Sequence, residues 1–211
     1  MRTLVFSDIH GNLPALEALL KREVVDNYIS LGDVVNYGPW SNECVDLVCS
    51  LPCITIIGNH EDSFLARATA RFRCAGIAKS FSDFCYPSFD RFDIIKGWRE
   101  AYELNGFTFR HTLEGKIIYP DSVVRFDKNY VIGHSHHQSY HEHEGNRLYC
   151  IGSVGQNRHC INRIDYLIID GNECELKNML YDVNIILDEM RARGYPQEFI
   201  DYYNNKERAL S

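Results

Sequence analysis

Three short apolar runs near the start of the chain, at residues 3–6, 28–31 and 54–57, each break off into a polar stretch: SDIHGN, GDVVNYG and GNHE. The runs are rich in branched and aromatic residues and too short for helices, so they read as buried strands. Helical patterns at 14–21 and 41–48 separate them. Asn12 is placed to cap the first helix, with Pro14 in a first turn that needs no N–H there, and Ser41 is placed to cap the second. Strands alternating with helices call for parallel pairing through helical crossovers, an α/β arrangement. In such sheets functional groups collect where the strands end, because the loops there share one edge.

Residues 61–101 read as mainly helical. After Gly106 the runs at 107–110, 130–132, 147–151, 164–169 and 175–180 are short and bounded by Gly, Asn, Asp or Ser, a spacing that suggests antiparallel hairpins. A helix at 183–193 and a short helical tail follow. No linker or repeat interrupts the chain, so residues 1–211 are expected to form a single domain.

The formal net charge of -7 argues against a partner such as extended nucleic acid, which is gripped through a basic surface. A small anionic substrate is compatible with it, because bound cations reverse the local charge. No apolar run approaches the ~18 residues that cross a bilayer. The first apolar run meets Asp8 too soon for a signal peptide, so no membrane partner and a cytoplasmic setting are expected. The eight cysteines form no Cys-x-x-Cys pair and are read as free thiols in a reducing compartment. Oligomeric state is not legible in this pattern.

Asp8 and His10 are two apart, so in an extended segment both would point to one side. Asp33 and Asn59 would arrive from adjacent strands. Mixed oxygen and nitrogen donors suit Mn, Fe, Zn or Co, and without thiolate a structural zinc knuckle is disfavoured. A lone Asp after a strand is ordinarily a turn or cap residue; recurrence at three strand ends is what points to metal. Downstream, GHSHHQSYHEHEG adds His134, His136, His137, His141 and His143. His134 and His136 follow a strand with the spacing of Asp8 and His10. His137 is expected outward or at a pocket rim, and His141 and His143 on one face of the next strand as plain surface imidazoles.

As an ordered set, SDIHGN, GDVVNYG, GNHE, the isolated His111 and GHSH resemble the calcineurin-like metallophosphoesterases. SDIHGNLPALEALL, GDVVNYGPWSNECVDLV and IGSVGQNRH resemble more narrowly the small bacterial and archaeal phosphodiesterase branch, which includes diadenosine tetraphosphatase-like proteins. The resemblance implies a four-layer αββα sandwich with two mixed β-sheets and a dinuclear metal site at the strand ends. One ion would be held by Asp8, His10, Asp33 and His136, the other by Asp33, Asn59, His111 and His134, with Asp33 bridging. The expected cofactors are two divalent transition-metal ions, Mn first, with Fe, Zn, Co or Ni as alternatives.

The chemistry so implied is hydrolysis of a small phosphoester, by a phosphodiesterase or phosphatase, through in-line attack of a metal-bridging hydroxide. His60 would protonate the leaving oxygen, with Glu61 a candidate to orient it. Asn12 and Asn36 either face the substrate or serve as turn residues, and Arg158 is placed to clamp a second phosphate. The branch more often carries Pro and Asp where Asn157 and His159 stand, so no contact is carried to His159. The chain shows no G-x-S-x-G elbow and no P-loop, which removes serine-hydrolase and nucleotide-switch readings. The competing class is a catalytically idle scaffold of the same fold, against which the intact ligand set speaks.

Overall fold

The computed structural model describes residues 1–67 and 76–210. The opening alternation folds as β1 (Arg2–Phe6), α1 (Leu13–Arg22), β2 (Asn27–Ser30), α2 (Ser41–Ser50) and β3 (Cys53–Thr55). β1, β2 and β3 are parallel neighbours, with Val5 opposite Ile29 and Ile29 opposite Ile54. Asn12 caps α1 as expected, its Oδ1 accepting from the Ala15 N–H. Ser41 is instead the first residue of α2, and its Oγ accepts from the Asn36 N–H.

Next come α3 (Asn59–Ala66), α4 (Gly76–Cys85), a 3-10 turn (Tyr86–Ser88), α5 (Phe92–Ile95) and β4 (Ala101–Leu104). The region expected to be mainly helical is thus broken by loops and ends in a strand; its part at 68–75, Cys74 included, lies outside the described residues. The chain continues through β5 (Phe107–Arg110), β6 (Asn129–Ile132), β7 (Gln138–His143), β8 (Asn146–Ile151), β9 (Arg163–Asp170), β10 (Glu173–Leu180), α6 (Asn184–Ala192) and α7 (Gln197–Asn204).

These strands make two mixed five-stranded sheets, ordered β10-β9-β1-β2-β3 and β4-β5-β6-β8-β7. The hairpins β7–β8 and β9–β10 are antiparallel as expected, but β5, β6 and β8 run parallel, which corrects the hairpin reading for the middle of the second sheet. The correction has a simple origin. β7 turns back outside β8, which frees β8 to lie beside β6 in the same direction.

Side-chain alternation assigns each strand face to a layer. Leu4 and Phe6 of β1, with Ile164, Tyr166 and Ile168 of β9, join residues from all seven helices in the largest core. Val5, Ile29, Leu167 and Ile169 point the other way, against Phe107, Phe109, Val131 and Ile151 of the second sheet. The outer face of that sheet carries Tyr130, Ile132, Leu148 and Cys150. Its cover is the irregular segment 112–128, through Leu113, Ile118 and Phe126, rather than a helix. The seven cysteines among the described residues are all free thiols. No helix among those residues is long and apolar enough to cross a membrane.

Candidate metal centre

The strand ends marked by polar motifs meet along one edge of the sandwich. Asp8 and His10 follow β1, Asp33 follows β2, and Asn59 and His60 follow β3; His111 follows β5, while His134 and His136 follow β6. Five of these, Asp8, His10, Asp33, His134 and His136, have φ between 53° and 69°. The extended geometry expected for Asp8 and His10 is therefore replaced by left-handed turns, a conformation non-glycine residues rarely adopt. Such strain persists where surrounding bonds over-determine it. Here the Asp8 N–H donates to Gly32 O, the His10 N–H to Asp33 O, the Gly133 N–H to His111 O and the Gly155 N–H to Asp8 O.

The side chains converge in two groups, Asp8–His10–Asp33–His136 and Asp33–His111–His134, each with its ligand atoms within 4.8 Å of one another. Asp33 belongs to both. Its Oδ1 accepts from the His60 N–H at 2.8 Å, and its Oδ2 lies 3.2 Å from His111 Nε2 and 3.9 Å from His10 Nε2. Asn59 joins the second group, with Oδ1 2.9 Å from His111 Nε2. The His134 side chain is half-buried, its ring 5.1 Å from that of His111, and the His134 backbone N–H donates to Asp8 Oδ2.

The protonation pattern tests whether these donors fit a cation. His10 Nδ1 bonds Val35 O at 3.2 Å and His136 Nδ1 bonds Gln156 O at 2.7 Å, so each ring keeps its proton there and aims a lone pair from Nε2. Those two Nε2 atoms are 3.1 Å apart, beside an Asp8 Oδ1 that is buried and lacks a hydrogen-bond partner. Two lone pairs and an orphan carboxylate oxygen facing one another are repulsive, and a cation between them removes the conflict. Burial opposes charge on His111, but Asp33 outweighs it and lifts the imidazole up to about 10. There a proton stands among oxygen acceptors that would equally surround a divalent ion. Burial, then the neighbouring His136, hold His10 well below its usual range, which leaves it neutral and free to ligate.

The sequence matches the calcineurin-like phosphoesterase family over residues 1–174. The chain belongs to that family. This makes it a phosphoric ester hydrolase whose relatives use divalent metal ions. An uncharacterised protein of Methanocaldococcus jannaschii is 28% identical over 92% of this chain and 93% of its own length. The crystal structure of a metallophosphoesterase from Sphaerobacter thermophilus matches with TM-score 0.80 and 26% identity, covering 98% of this chain and 99% of the other. A hypothetical protein of Pyrococcus horikoshii shares the fold at TM-score 0.83 and 15% identity, over 100% and 99% of the two chains.

Around the ligands of this phosphoesterase, the remaining candidates take different places. His60 is buried, with Nε2 3.9 Å from Asp33 Oδ2 and Nδ1 2.8 Å from Asn36 Nδ2. Burial lowers its pKa. Asn36 thus touches the imidazole, and its own Oδ1 is buried with no partner. Glu61 does not orient His60. Its carboxylate accepts four backbone N–H groups, from Asp33, Val34, Val35 and Gly58, and so ties the β2 loop to the β3 loop. Asn12 is committed to the scaffold, capping α1 and donating to Gly155 O and Tyr181 Oη.

Two tyrosines escaped the sequence reading. Tyr37 packs edge-on against His10, with ring centroids 4.8 Å apart, and 5.6 Å from His60. Its signal was its place inside GDVVNYG. Tyr202 of α7 bonds Arg158, a contact no local pattern announces. On the other side, Asn59 and His111 border a cavity of about 350 Å³ that Lys96, Trp98, Glu100 and Arg110 also line. His141 and His143 share one half-buried face of β7, against Ser139 and Phe126, and His137 meets the Tyr119 ring edge-on, away from the ligand groups.

Proposed function

We propose that this phosphoesterase is a two-metal hydrolase of small phosphoesters, a phosphodiesterase or phosphatase acting on a phosphorylated metabolite or nucleotide, with manganese as its first-choice metal. The observation that carries the reading is Asp33 Oδ2, one carboxylate oxygen shared by two convergent ligand groups. Two divalent cations held by these groups supply Lewis acidity toward the phosphoryl oxygens and activate water near neutral pH.

The protein's own contribution centres on His60. As placed, the Asn36 amide N–H donates to Nδ1, so the ring proton resides on Nε2, where it can hydrogen-bond a phosphoryl oxygen. To protonate a leaving oxygen the ring must first be an imidazolium, which needs an acceptor at Nδ1 as well. Asn36 Oδ1, buried and unpartnered, becomes that acceptor when the amide turns over. The imidazolium then gives its Nε2 proton to the departing alkoxide and returns to the neutral form.

Metal-loaded protein is expected to hydrolyse bis-p-nitrophenyl phosphate, with turnover reduced by about 10²–10⁴ in His60→Ala and at least as much in Asp33→Ala. Undiminished rates in both variants would sink the assignment. Absence of activity together with absence of metal uptake on titration would favour the idle-scaffold reading instead.

A further inference from the structure

Arg158 is half-buried beside the first ligand group, and its N–H bonds His136 O at 3.3 Å. Its guanidinium meets two phenols. Nη1 donates to Tyr202 Oη, and the Tyr37 hydroxyl also accepts from it. The Tyr37 and Tyr202 rings stack with centroids 6.1 Å apart, and Tyr37 also contacts His10 edge-on and His60. Lys206 adds a second cation, its Nζ 4.7 Å from the Tyr202 ring.

Of the thirteen arginines among the described residues, Arg2, Arg67, Arg91, Arg163, Arg191 and Arg193 pair with a carboxylate. Among the described residues neither Arg158 nor Lys206 does, although the protein as a whole carries a net charge of -7. A partly desolvated guanidinium with neutral acceptors keeps its charge uncompensated and most of its five N–H donors unspent. An anion arriving from solution satisfies both, and a planar fork is suited to phosphate or carboxylate.

We propose that Arg158, positioned by Tyr202 and Tyr37 and supported by Lys206, forms a second anion-binding subsite, so that the preferred substrate carries a further phosphate or carboxylate close to the scissile phosphoester. The proposal rests on the hydrolase reading and deepens it. The subsite depends on α7, which lies beyond the residues 1–174 matched by the family model and outside the two ligand groups. Tyr202 is a positioning residue; Arg158 is the one that touches the ligand.

The test is calorimetric titration of full-length, manganese-loaded protein with methylphosphonate and with phosphonoacetate, which adds one carboxylate, at fixed free manganese. Wild type is expected to bind phosphonoacetate about 10-fold to 100-fold more tightly. In Arg158→Met that ratio falls to within about threefold of unity, Arg158→Lys restores part of it, and Tyr202→Phe gives an intermediate ratio. A merely structural contact would weaken both anions equally and leave the ratio unchanged, which overturns the proposal. So does failure of phosphonoacetate to outbind methylphosphonate in wild type. Hydrolysis of bis-p-nitrophenyl phosphate is followed separately, so loss of the anion preference and loss of the hydrolase reading are told apart.

Discussion

Asp33 carries three duties with one side chain. It holds a left-handed backbone turn, accepts from the His60 N–H through Oδ1, and presents Oδ2 to both ligand groups. Asp33→Asn keeps the shape but halves the oxygen donors and removes the charge. Elemental analysis of the purified variant is expected to find the two-ion content reduced to one or fewer. Asn36 touches His60 at 2.8 Å and also donates to Ala78 O, so its bearing on catalysis runs through His60. Asn36→Leu is expected to slow an alkyl phosphoester by about 10-fold to 100-fold and a p-nitrophenyl ester far less, because nitrophenolate leaves without a proton. Equal slowing of both esters would remove Asn36 from the acid's support. The converging side chains were legible before the fold was known, Asp8, His10, Asp33, Asn59, His134 and His136 at the ends of apolar runs in recurring motifs and His111 through the resemblance of the ordered set. Glu61 was not. Its motif position points at His60, whereas its carboxylate serves backbone N–H groups that sequence cannot display.

Whole elements depend on close approach at this edge. A Cβ on Gly133, just after β6, would stand 2.1 Å from Ser7 Oγ and 2.6 Å from Asp8 Oδ2. Gly133→Ala is therefore expected to push the β6 loop off the β1 loop, destabilising the fold by about 1–3 kcal/mol in urea melts and weakening metal uptake. At the far end of α1, Glu23 ties helix to sheet, accepting from Tyr166 of β9 and pairing with Lys177 of β10 and Arg2 of β1. Burial alone would raise this carboxyl, but those donors outweigh it and hold it at about 2. A depressed carboxyl stabilises fully above its unfolded value, near 4.5, and the contribution fades as pH falls through about 2. Glu23→Gln should cost about 1–3 kcal/mol at pH 7 and show a shallower loss of stability between pH 4.5 and 2. The first three strands were readable because helices separate them. The parallel trio β5, β6 and β8 was not, since strands of four to six residues look alike whichever way they pair, and the return of β7 that sets β8 parallel to β6 is a tertiary feature.

Across the molecule, the helices beyond the shared family region are not an appendage. Ile186, Leu187 and Met190 of α6 and Phe199, Ile200 and Tyr203 of α7 lie in the same core as Leu4 and Phe6. The apolar spacing of the tail foretold helices there, but nothing in it foretold that Tyr203 would bond Gln156 or that Tyr202 would reach Arg158. The ligand edge also has a thermal signature. Chelation leaves the orphan Asp8 oxygen and the opposed imidazoles uncompensated, so metal-free protein is expected to melt several degrees below the manganese-loaded form. The ligands are divided between the sheets: Asp8, His10, Asp33 and Asn59 come from the first, and His111, His134 and His136 from the second. Ions in these positions would act as rivets across the seam at one end of the sandwich. In amide hydrogen exchange, metal removal should then speed up the loops at 7–12, 32–38, 111–112 and 133–137 together, as one opening unit, and leave the strand centres slow.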